Sequence, residues 1–405
     1  MRLFWAFLSA VLIVTLGALA DSLHLPRGKN WLVLASTQNV DQAIGIARRV
    51  RADAQTARVV RAVNGYYAII AGPYASSTIA QFKATKPAEE LSILPRDALL
   101  SDGARYVETI WNPAGDSSLH SQAYALGKPV ILSAGAFSAV VVAEKLGADN
   151  AYTKITGRDD KASFSFDIGK DVPVTEQESA ETMMGDNYFR AAAVKLIEGS
   201  ETPQLVVTHF TGGTHCCTET YIIGREPGSD GFSFITAGAR DGEGFAYEDI
   251  DGDGVKEMFS VDNAFYYAFD SYAGSMAPIQ IYKVKSGKLE NVSTEPAMHA
   301  RLLQDLASME WEAKLSPEIA MTNGYLAGWV AAKIRLGEGD AAWKVFMRDY
   351  DRHSDFGPQE CLTGQTIDDC PDGNLKAIPI PRALAAFLAQ NGYIPIPAAA
   401  LAEMK

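Results

Sequence analysis

The feature that most constrains the fold is an acidic run at residues 249–257, in which carboxylates recur at every second position. Calcium takes about six to eight oxygen ligands, so it needs several short acidic side chains converging from one tight turn. The expected oxygen donors are the side chains of Asp249, Asp251 and Asp253, the carbonyl of Val255 and the closing carboxylate of Glu257. Gly254 permits the sharp turn. The sequence therefore predicts a Ca²⁺ loop, and the alternative is a solvated acidic turn without metal.

The acidic run does not fit an EF-hand, because Ser260 stands where the twelfth-position glutamate would be required. Its spacing resembles the short calcium loop of FG-GAP/VCBS-type β-propeller repeats, in which the loop runs into a strand, here Glu257–Val261. Further apolar runs separated by glycine-rich turns, among them the predicted strand Gln204–Phe210, predict a β-rich domain over residues 127–296. Near the start of this domain, the run after Phe137 is expected to continue as a helix to Leu146. One or two such repeats cannot close a propeller, so we expect a sandwich or a half-propeller.

The N-terminus has the features of an export signal. Residues 3–20 form an apolar run after Arg2 and end in Ala18–Leu19–Ala20, which predicts a signal peptide over residues 1–20. An uncleaved membrane anchor is the alternative, because the run is nearly as long as a membrane span. No other stretch approaches that length, so the folded part is expected to be periplasmic or secreted.

The charge is strongly negative and unevenly distributed. The chain carries a formal charge of −13, yet Ser22–Lys83 has eight basic and two acidic side chains. An acidic balance argues against nucleic acid and anionic membrane surfaces as main partners. The asymmetry indicates two modules with different partners, and the partner of the acidic half is expected to be a protein that the sequence does not identify.

Export makes the four cysteines candidates for disulfide bonds. Cys361 and Cys370 bracket a turn-rich loop and are expected to pair. Closing so short a loop contributes about 2.5–3 kcal/mol in the chain-entropy model. Cys216 and Cys217 are adjacent, and a disulfide between neighbours would be strained. Cross-pairing with the other two remains open, since four cysteines allow about three connectivities.

The segment after residue 30 follows a strand, helix and hairpin pattern. Asp41–Gln42–Ala43 begins a predicted helix, Asn64–Gly65 is a hairpin signal, and Tyr67–Tyr74 reads as a strand ending in Gly-Pro-Tyr. This stretch, residues 30–83 within a domain at 28–111, resembles a SPOR domain, a bacterial β-α-β-β-α-β module that binds peptidoglycan glycan. The resemblance implies a peptidoglycan partner.

Three tyrosines of this module are candidate glycan-binding residues, because their rings could stack on sugars: Tyr66, Tyr67 and Tyr74. The alternative is that the rings simply pack against the sheet. Residues 112–126, rich in Gly, Pro and Ser, predict a linker to the β-rich domain.

The last part of the chain changes to helical periodicity. Residues 297–405 predict a helical C-terminal region, with helices at His299–Leu315, from Pro317 to Leu336, at Asp340–Tyr350 and at Pro381–Asn391. The complete prediction is an α+β multidomain protein with a SPOR-like module, a β-rich domain and a helical region that contains the cysteine loop.

An enzymatic function has weaker support in the sequence. His209, His215 and the adjacent cysteines are the residue types of a zinc site, but zinc ligands are normally separated by two or more residues. Carboxylates such as Glu243, Glu248, Asp262 and Asp270 form no recognisable pair. We therefore expect a non-enzymatic cell-envelope protein that binds peptidoglycan and carries a calcium-stabilised recognition domain. The alternatives are an envelope hydrolase, and a structural or inhibitor-like protein whose SPOR-like fold has lost glycan binding.

Overall fold

The computed structural model describes residues 23–54, 57–75, 99–112, 121–146, 150–170, 189–211, 216–354 and 356–404. It confirms a mixed α+β architecture with several antiparallel sheets followed by a helical region. The predicted signal peptide and second SPOR helix lie outside the described residues.

In the part of the chain that the structure describes, the N-terminal module is a five-stranded antiparallel sheet with a helix on one face. The strand order is β4-β1-β3-β2-β5, and helix α1 spans Val40–Ala54. The strands are β1 (Lys29–Thr37), β2 (Arg58–Ala62), β3 (Tyr67–Ala75), β4 (Leu99–Ser101) and β5 (Tyr106–Trp111). Gly65 adopts a φ of 80° in the turn between β2 and β3, which explains the glycine at the predicted hairpin.

Helix α1 begins differently from the prediction. The cap is the side chain of Asn39, whose Oδ1 accepts hydrogen bonds from the backbone amides of Asp41 (2.9 Å) and Gln42 (3.1 Å). Ala43 and Ala47 are fully buried against the sheet. A narrow stripe of small residues therefore lets the helix lie close to the strands.

The β-rich domain contains three consecutive antiparallel meanders. The first comprises β7 (Val130–Ala134), β8 (Phe137–Leu146), β9 (Asn150–Arg158) and β10 (Ser163–Ile168). The second comprises β11 (Phe189–Val194), β12 (Gln204–Phe210), β13 (Thr218–Gly224) and β14 (Ser233–Arg240), joined at its edge by β6 (Gln122–Ala123). The third comprises β15 (Ala246–Glu248), β16 (Glu257–Val261), β17 (Ile279–Lys285) and β18 (Lys288–Asn291).

Two details differ from the sequence interpretation. The expected helix up to Leu146 is the end of strand β8, because Phe137, Ala139, Val141 and Ala143 are buried with a period of two. The end of the predicted linker belongs to the β-rich domain: β6 pairs with β11, and Tyr124 is 1% exposed in the core. Residues 113–120 of that linker lie outside the described part of the chain.

The three meanders pack face to face in chain order. Phe137 and Ile155 of the first meet Leu205 and Val207 of the second in one core cluster. The opposite face of the second meander shares another cluster with the third, including Val206, Ile222, Met258 and Tyr282. Face-to-face packing of successive meanders is compatible with both the sandwich and the half-propeller prediction.

The helical region packs on the outer face of the third meander, where Ile279 and Ile281 contact Met298 and Leu302. Its helices are α2 (His299–Leu315), α3 (Pro317–Ala320), α4 (Asn323–Arg335), α5 (Gly339–Asp349), α6 (Ile380–Gln390) and α7 (Ala398–Glu403). The single helix predicted from Pro317 to Leu336 is two helices, because Thr322 caps α4 by accepting a hydrogen bond from the amide of Tyr325.

The cysteine loop extends from the helical region between two short paired strands, β19 (Gln359–Cys361) and β20 (Leu375–Ala377). A disulfide joins Cys361 to Cys370 with Cα atoms 5.7 Å apart.

The N-terminal module is docked on the C-terminal helices, which the sequence did not predict. Helix α1 packs along α2, and Trp311 of α2 is buried in the same cluster as Ala43 and Ala47. The carbonyl oxygen of Gly45 accepts a hydrogen bond from the Ser308 hydroxyl at 2.6 Å. The first and last domains therefore form one continuous packed body with the β-rich domain.

Two ion pairs border this α1–α2 contact. Arg48 binds Glu248 of the β-rich domain with both terminal nitrogens, at 2.6 and 3.0 Å. Arg49 binds Glu312 of α2 at 3.0 Å. Paired arginine and carboxylate forks orient the two partners as well as attracting them, so they fix how the module sits on the helices.

Candidate functional site

The acidic run forms the turn between β15 and β16. Asp249, Asp251 and Glu257 each direct one carboxylate oxygen to a common point, and these oxygens all lie within 4.8 Å of one another. Among the residues that the structure describes, this is the group of His, Cys, Asp or Glu side chains that could hold a metal ion. The structure thus brings together three of the five predicted ligand positions.

Hydrogen bonds within the turn fix the carboxylates. The Asp249 side chain accepts from the amide of Gly254 at 3.0 Å, Asp251 from the amide of Asp253 at 3.2 Å, and Asp253 from the amide of Val255 at 2.7 Å. Gly252 and Gly254 adopt φ values of 79° and 83°, a region that glycine occupies at little cost. All three aspartates thus brace the loop backbone, and Asp249 and Asp251 also direct an oxygen to its centre.

Glu257 is the anchor of the loop. It is fully buried, and its Oε2 accepts a hydrogen bond from the Ile250 amide at 2.7 Å. Its Oε1 is also buried but accepts no well-aligned hydrogen bond. Burial raises the pKa of the Glu257 carboxyl above its usual range, outweighing the opposing effect of that amide. An oxygen with spare acceptor capacity therefore points into the loop.

Lys283 of β17 is a residue of this site that the sequence did not reveal. Its Nζ lies 2.5 Å from Asp251, 3.3 Å from Glu257 and 3.7 Å from Asp253. Hydrogen bonding to Lys283 lowers the pKa of Asp251, while Asp251 and Glu257 raise the pKa of Lys283 despite its partial burial. Lys283 lies 26 positions after Glu257 in the sequence, so only the pairing of β16 with β17 brings it into the loop.

The donor set fits calcium. Hard carboxylate and carbonyl oxygens on a tight turn are the ligands that this ion prefers, and no nitrogen or sulfur ligand is needed. Asp249, Asp251, Asp253 and Glu257 would hold the ion with the Val255 carbonyl. The Lys283 ammonium would have to leave, because a cation and a bound Ca²⁺ would repel each other at this range.

The three candidate glycan-binding tyrosines do not share one surface. Tyr67 and Tyr74 pack against the core cluster between the sheet and α1, whereas Tyr66 lies at the hairpin turn and is 37% exposed. On the opposite face of the sheet, Trp31 and Ile70 are buried, with Leu23, Leu25 and Tyr106 among their neighbours. Both faces of the sheet are therefore largely occupied by the protein's own side chains.

The second cysteine pair forms a disulfide between the neighbours Cys216 and Cys217. The structure thus has the connectivity that pairs each cysteine with its nearer partner. His209 is buried, and its Nε2 lies 2.8 Å from Oε2 of Glu219, which also accepts from the Tyr221 hydroxyl at 2.5 Å. These contacts do not gather a zinc ligand set from the described residues, and His215 lies outside them.

Two of the carboxylates considered for hydrolysis, Glu248 and Asp262, have structural partners. Glu248 is held between Arg48 and Arg301. Asp262 accepts hydrogen bonds from Gln280 at 2.6 Å and from Tyr393 at 2.8 Å. These pairings give each carboxylate a role in holding elements together.

Among the described residues, no helix has both the length and the apolar character needed to span a bilayer.

Comparisons with known proteins give relatives but no assigned activity. Residues 299–392 match the family described as the sll0997 C-terminal domain. The uncharacterized protein y4bJ of Sinorhizobium fredii is 34% identical over 395 residues, which covers 96% of this chain and 60% of y4bJ. The probable thylakoid lumen protein sll0997 of Synechocystis sp. is 35% identical over 228 residues, covering 51% of this chain and 66% of that protein.

The chain thus spans less than two thirds of the length of each of these relatives. No solved structure is significantly similar to it. The family match covers α2 to α6, that is, most of the helical region on which the N-terminal module docks.

Proposed function

We propose that the protein acts outside the cytoplasm as a non-enzymatic binding protein whose β-rich domain is stabilised by a calcium ion. Three findings support an extracytoplasmic location: the apolar run at residues 3–20, the two disulfides, and similarity to a probable thylakoid lumen protein. Disulfides persist mainly in oxidising compartments outside the cytosol.

The observation that carries the calcium proposal is the convergence of oxygens from Asp249, Asp251 and Glu257 within 4.8 Å. The buried Oε1 of Glu257 adds to it, because this oxygen accepts no well-aligned hydrogen bond and faces the Lys283 ammonium at 3.3 Å, a position that a bound cation would take over. The ion would join the start of β16 to the turn after β15, and so tie together two strands of the third meander.

The test is thermal unfolding of the mature protein in EDTA and in increasing calcium. Extracellular calcium modules bind at roughly 10⁻⁴–10⁻³ M, so the midpoint should rise as calcium passes that range. Asp251→Asn should abolish the rise, whereas Asp230→Asn, at an exposed aspartate outside the loop, should retain it. An unchanged midpoint in millimolar calcium would contradict the calcium proposal and would indicate that the loop is an acidic turn paired with Lys283.

The SPOR-like module gives a second candidate function, binding to peptidoglycan glycan. The exposed ring of Tyr66 and the excess of basic residues in Ser22–Lys83 support it. The packing of the partly buried Tyr67 and Tyr74 against the core supports the alternative in which the module is structural and no longer binds glycan.

Sedimentation with purified sacculi at low salt separates these two alternatives. Sedimentation that Tyr66→Ala weakens supports glycan binding by the module. A protein that stays in the supernatant supports the structural role. Tyr67 and Tyr74 are poor probes, because their replacement would also disturb the packing between the sheet and α1.

A further inference from the structure

A second cluster of side chains, partly buried except for one exposed tyrosine, lies at the other end of β16 from the acidic loop. The segment after this strand is rich in aromatic residues, and they divide into two groups. Phe265 and Phe269 are buried at 1% and 0% exposure and pack edge-on against Phe387. Tyr267 is 54% exposed. The phenylalanines hold the segment on the helical region, and Tyr267 is left facing solvent.

Tyr267 has a backbone conformation that its side chain does not favour. Its φ is 61°, in the left-handed region, where a bulky residue other than glycine is uncommon. Such conformations cost about 1–3 kcal/mol and occur preferentially at ligand-binding and active sites. The exposed ring makes little contribution to packing that would offset this cost.

Tyr272 places a second ring beside Tyr267, with centroids 6.0 Å apart, and stacks on Tyr266 at 4.7 Å. Its hydroxyl donates to both carboxylate oxygens of Asp241, at 2.9 and 3.0 Å. Burial and the adjacent Asp241 carboxylate raise the pKa of Tyr272 to about 12, so the phenol stays neutral. An aromatic ring therefore lies directly beside a hydrogen-bonding carboxylate.

Asn263 connects this pair to the disulfide between neighbouring cysteines. Its Oδ1 accepts from the Asp241 amide at 3.0 Å, and its Nδ2 faces the sulfurs of Cys216 and Cys217 at 3.9 and 3.8 Å. Both cysteines are partly exposed. We name the continuous patch formed by Cys216, Cys217, Asp241, Asn263, Tyr267 and Tyr272 the tyrosine surface.

The charge of the tyrosine surface restricts its ligand. Asp241 carries a negative charge, and the exposed Glu243 lies two positions away. The neighbouring Arg240, whose guanidinium stacks over Phe245 and Tyr282, offsets one of these two negative charges, so the local balance remains negative. Polyanionic ligands would be repelled. Aromatic rings and amide or carboxylate groups on one patch suit a ligand with both apolar faces and hydroxyl groups.

We propose that the tyrosine surface binds an uncharged carbohydrate chain, with a sugar ring lying on Tyr267 and hydroxyl groups meeting Asp241 and Asn263. The proposal deepens the proposed function, since it names the ligand class of the binding protein. It does not depend on calcium in the loop. It also separates carbohydrate binding from the three tyrosines of the N-terminal module.

The test is calorimetric titration of the mature protein with chitopentaose and cellopentaose, two neutral oligosaccharides, and with an anionic oligogalacturonate of equal length. We expect binding of at least one neutral chain and none of the anionic chain. Tyr267→Ala should weaken that binding about tenfold, as expected for loss of one stacking ring. Tyr267→Phe should keep it within about threefold, because the ring face is retained.

Phe356→Ala is the matched control, because it removes an exposed aromatic ring that belongs to neither candidate surface. It should leave oligosaccharide binding unchanged. Absence of binding to both neutral chains, preference for the anionic chain, or full binding by Tyr267→Ala would each overturn the proposal. The calcium-dependent unfolding of the same samples is measured separately, so failure of this proposal is distinguishable from failure of the calcium proposal.

Discussion

Docking of the N-terminal module on α2 can be tested with the substitution Gly45→Ala, which adds one methyl group to the side of α1 that faces α2. A Cβ at this position would lie 2.0 Å from the carbonyl oxygen of Gln304, whereas ordinary contacts begin at 3.4 Å. The two helices would have to separate by about 1.4 Å. Overpacking of this kind typically costs about 1–3 kcal/mol.

The expected sign is what makes Gly45→Ala informative. In a helix that is free on this face, the same change would stabilise by about 1 kcal/mol, because alanine is the better helix former. With α1 packed on α2, the added methyl group meets backbone atoms of Gln304, which cannot move aside as a flexible side chain would. The overpacking cost therefore falls in the upper part of its range, about 2–3 kcal/mol, and we expect a net loss of about 1–2 kcal/mol in the free energy of undocking. This corresponds to amide exchange that is about 5–30-fold faster along α1.

Hydrogen exchange with mass spectrometry of α1 peptides measures this change. Gly231→Ala is the control, because a Cβ there would meet nothing within 4 Å and its φ is not in the left-handed region. That variant should leave exchange in α1 unchanged. Slower exchange in α1 of Gly45→Ala would refute the packing of α1 against α2.

Three further predictions concern the loop, a buried ion pair and the cysteine loop. Lys283→Met should lower the unfolding midpoint in EDTA and tighten calcium binding measured by calorimetry, because it removes the ammonium that competes for the carboxylates; unchanged affinity would contradict a metal site. The pKa of Asp159 lies below its usual range, because backbone amides and Arg225 outweigh the opposing effect of burial. Its stabilising effect is therefore complete above the unfolded pKa of about 4 and is lost as the pH falls through the folded pKa. In urea unfolding, Asp159→Asn should lower the free energy of unfolding by about 3–5 kcal/mol at pH 7 and by less at pH 3. An equal loss at both pH values would contradict this prediction. Joint replacement of Cys361 and Cys370 by serine should destabilise their loop by about 2.5–3 kcal/mol, seen as faster proteolysis there with no change elsewhere.

The sequence correctly predicted the strands and helices in which apolar side chains recur at a single spacing, that of a strand or that of a helix. Strands Gln204–Phe210 and Glu257–Val261 and helix His299–Leu315 have the bounds read from the sequence. The strand ending at Leu146 was interpreted as a helix, because a short run of small and β-branched apolar residues fits both periods. The division near Thr322 was missed, because the apolar spacing continues across it and only the cap ends the pattern.

The candidate site was predictable only in its sequence-local part. Asp249, Asp251 and Glu257 converge because they belong to one turn. Lys283 comes close to them only through strand pairing. Tyr267 stands out only because it is exposed while the neighbouring Phe265 and Phe269 are buried. Contacts between elements distant in the chain depend on tertiary packing, which the spacing of apolar residues along the sequence does not reveal.

Strand β16 connects the two candidate sites, because each of them lies at one end of this strand. It has five residues, so the acidic loop and the tyrosine surface lie about 17 Å apart along one strand. A register slip of one residue against β17 would turn every side chain of β16 to the opposite face. It would withdraw Glu257 from the loop and displace the segment carrying Tyr267. An ion held by Glu257 would therefore fix the register of β16 against β17, and with it the positions of the acidic loop and of the tyrosine surface.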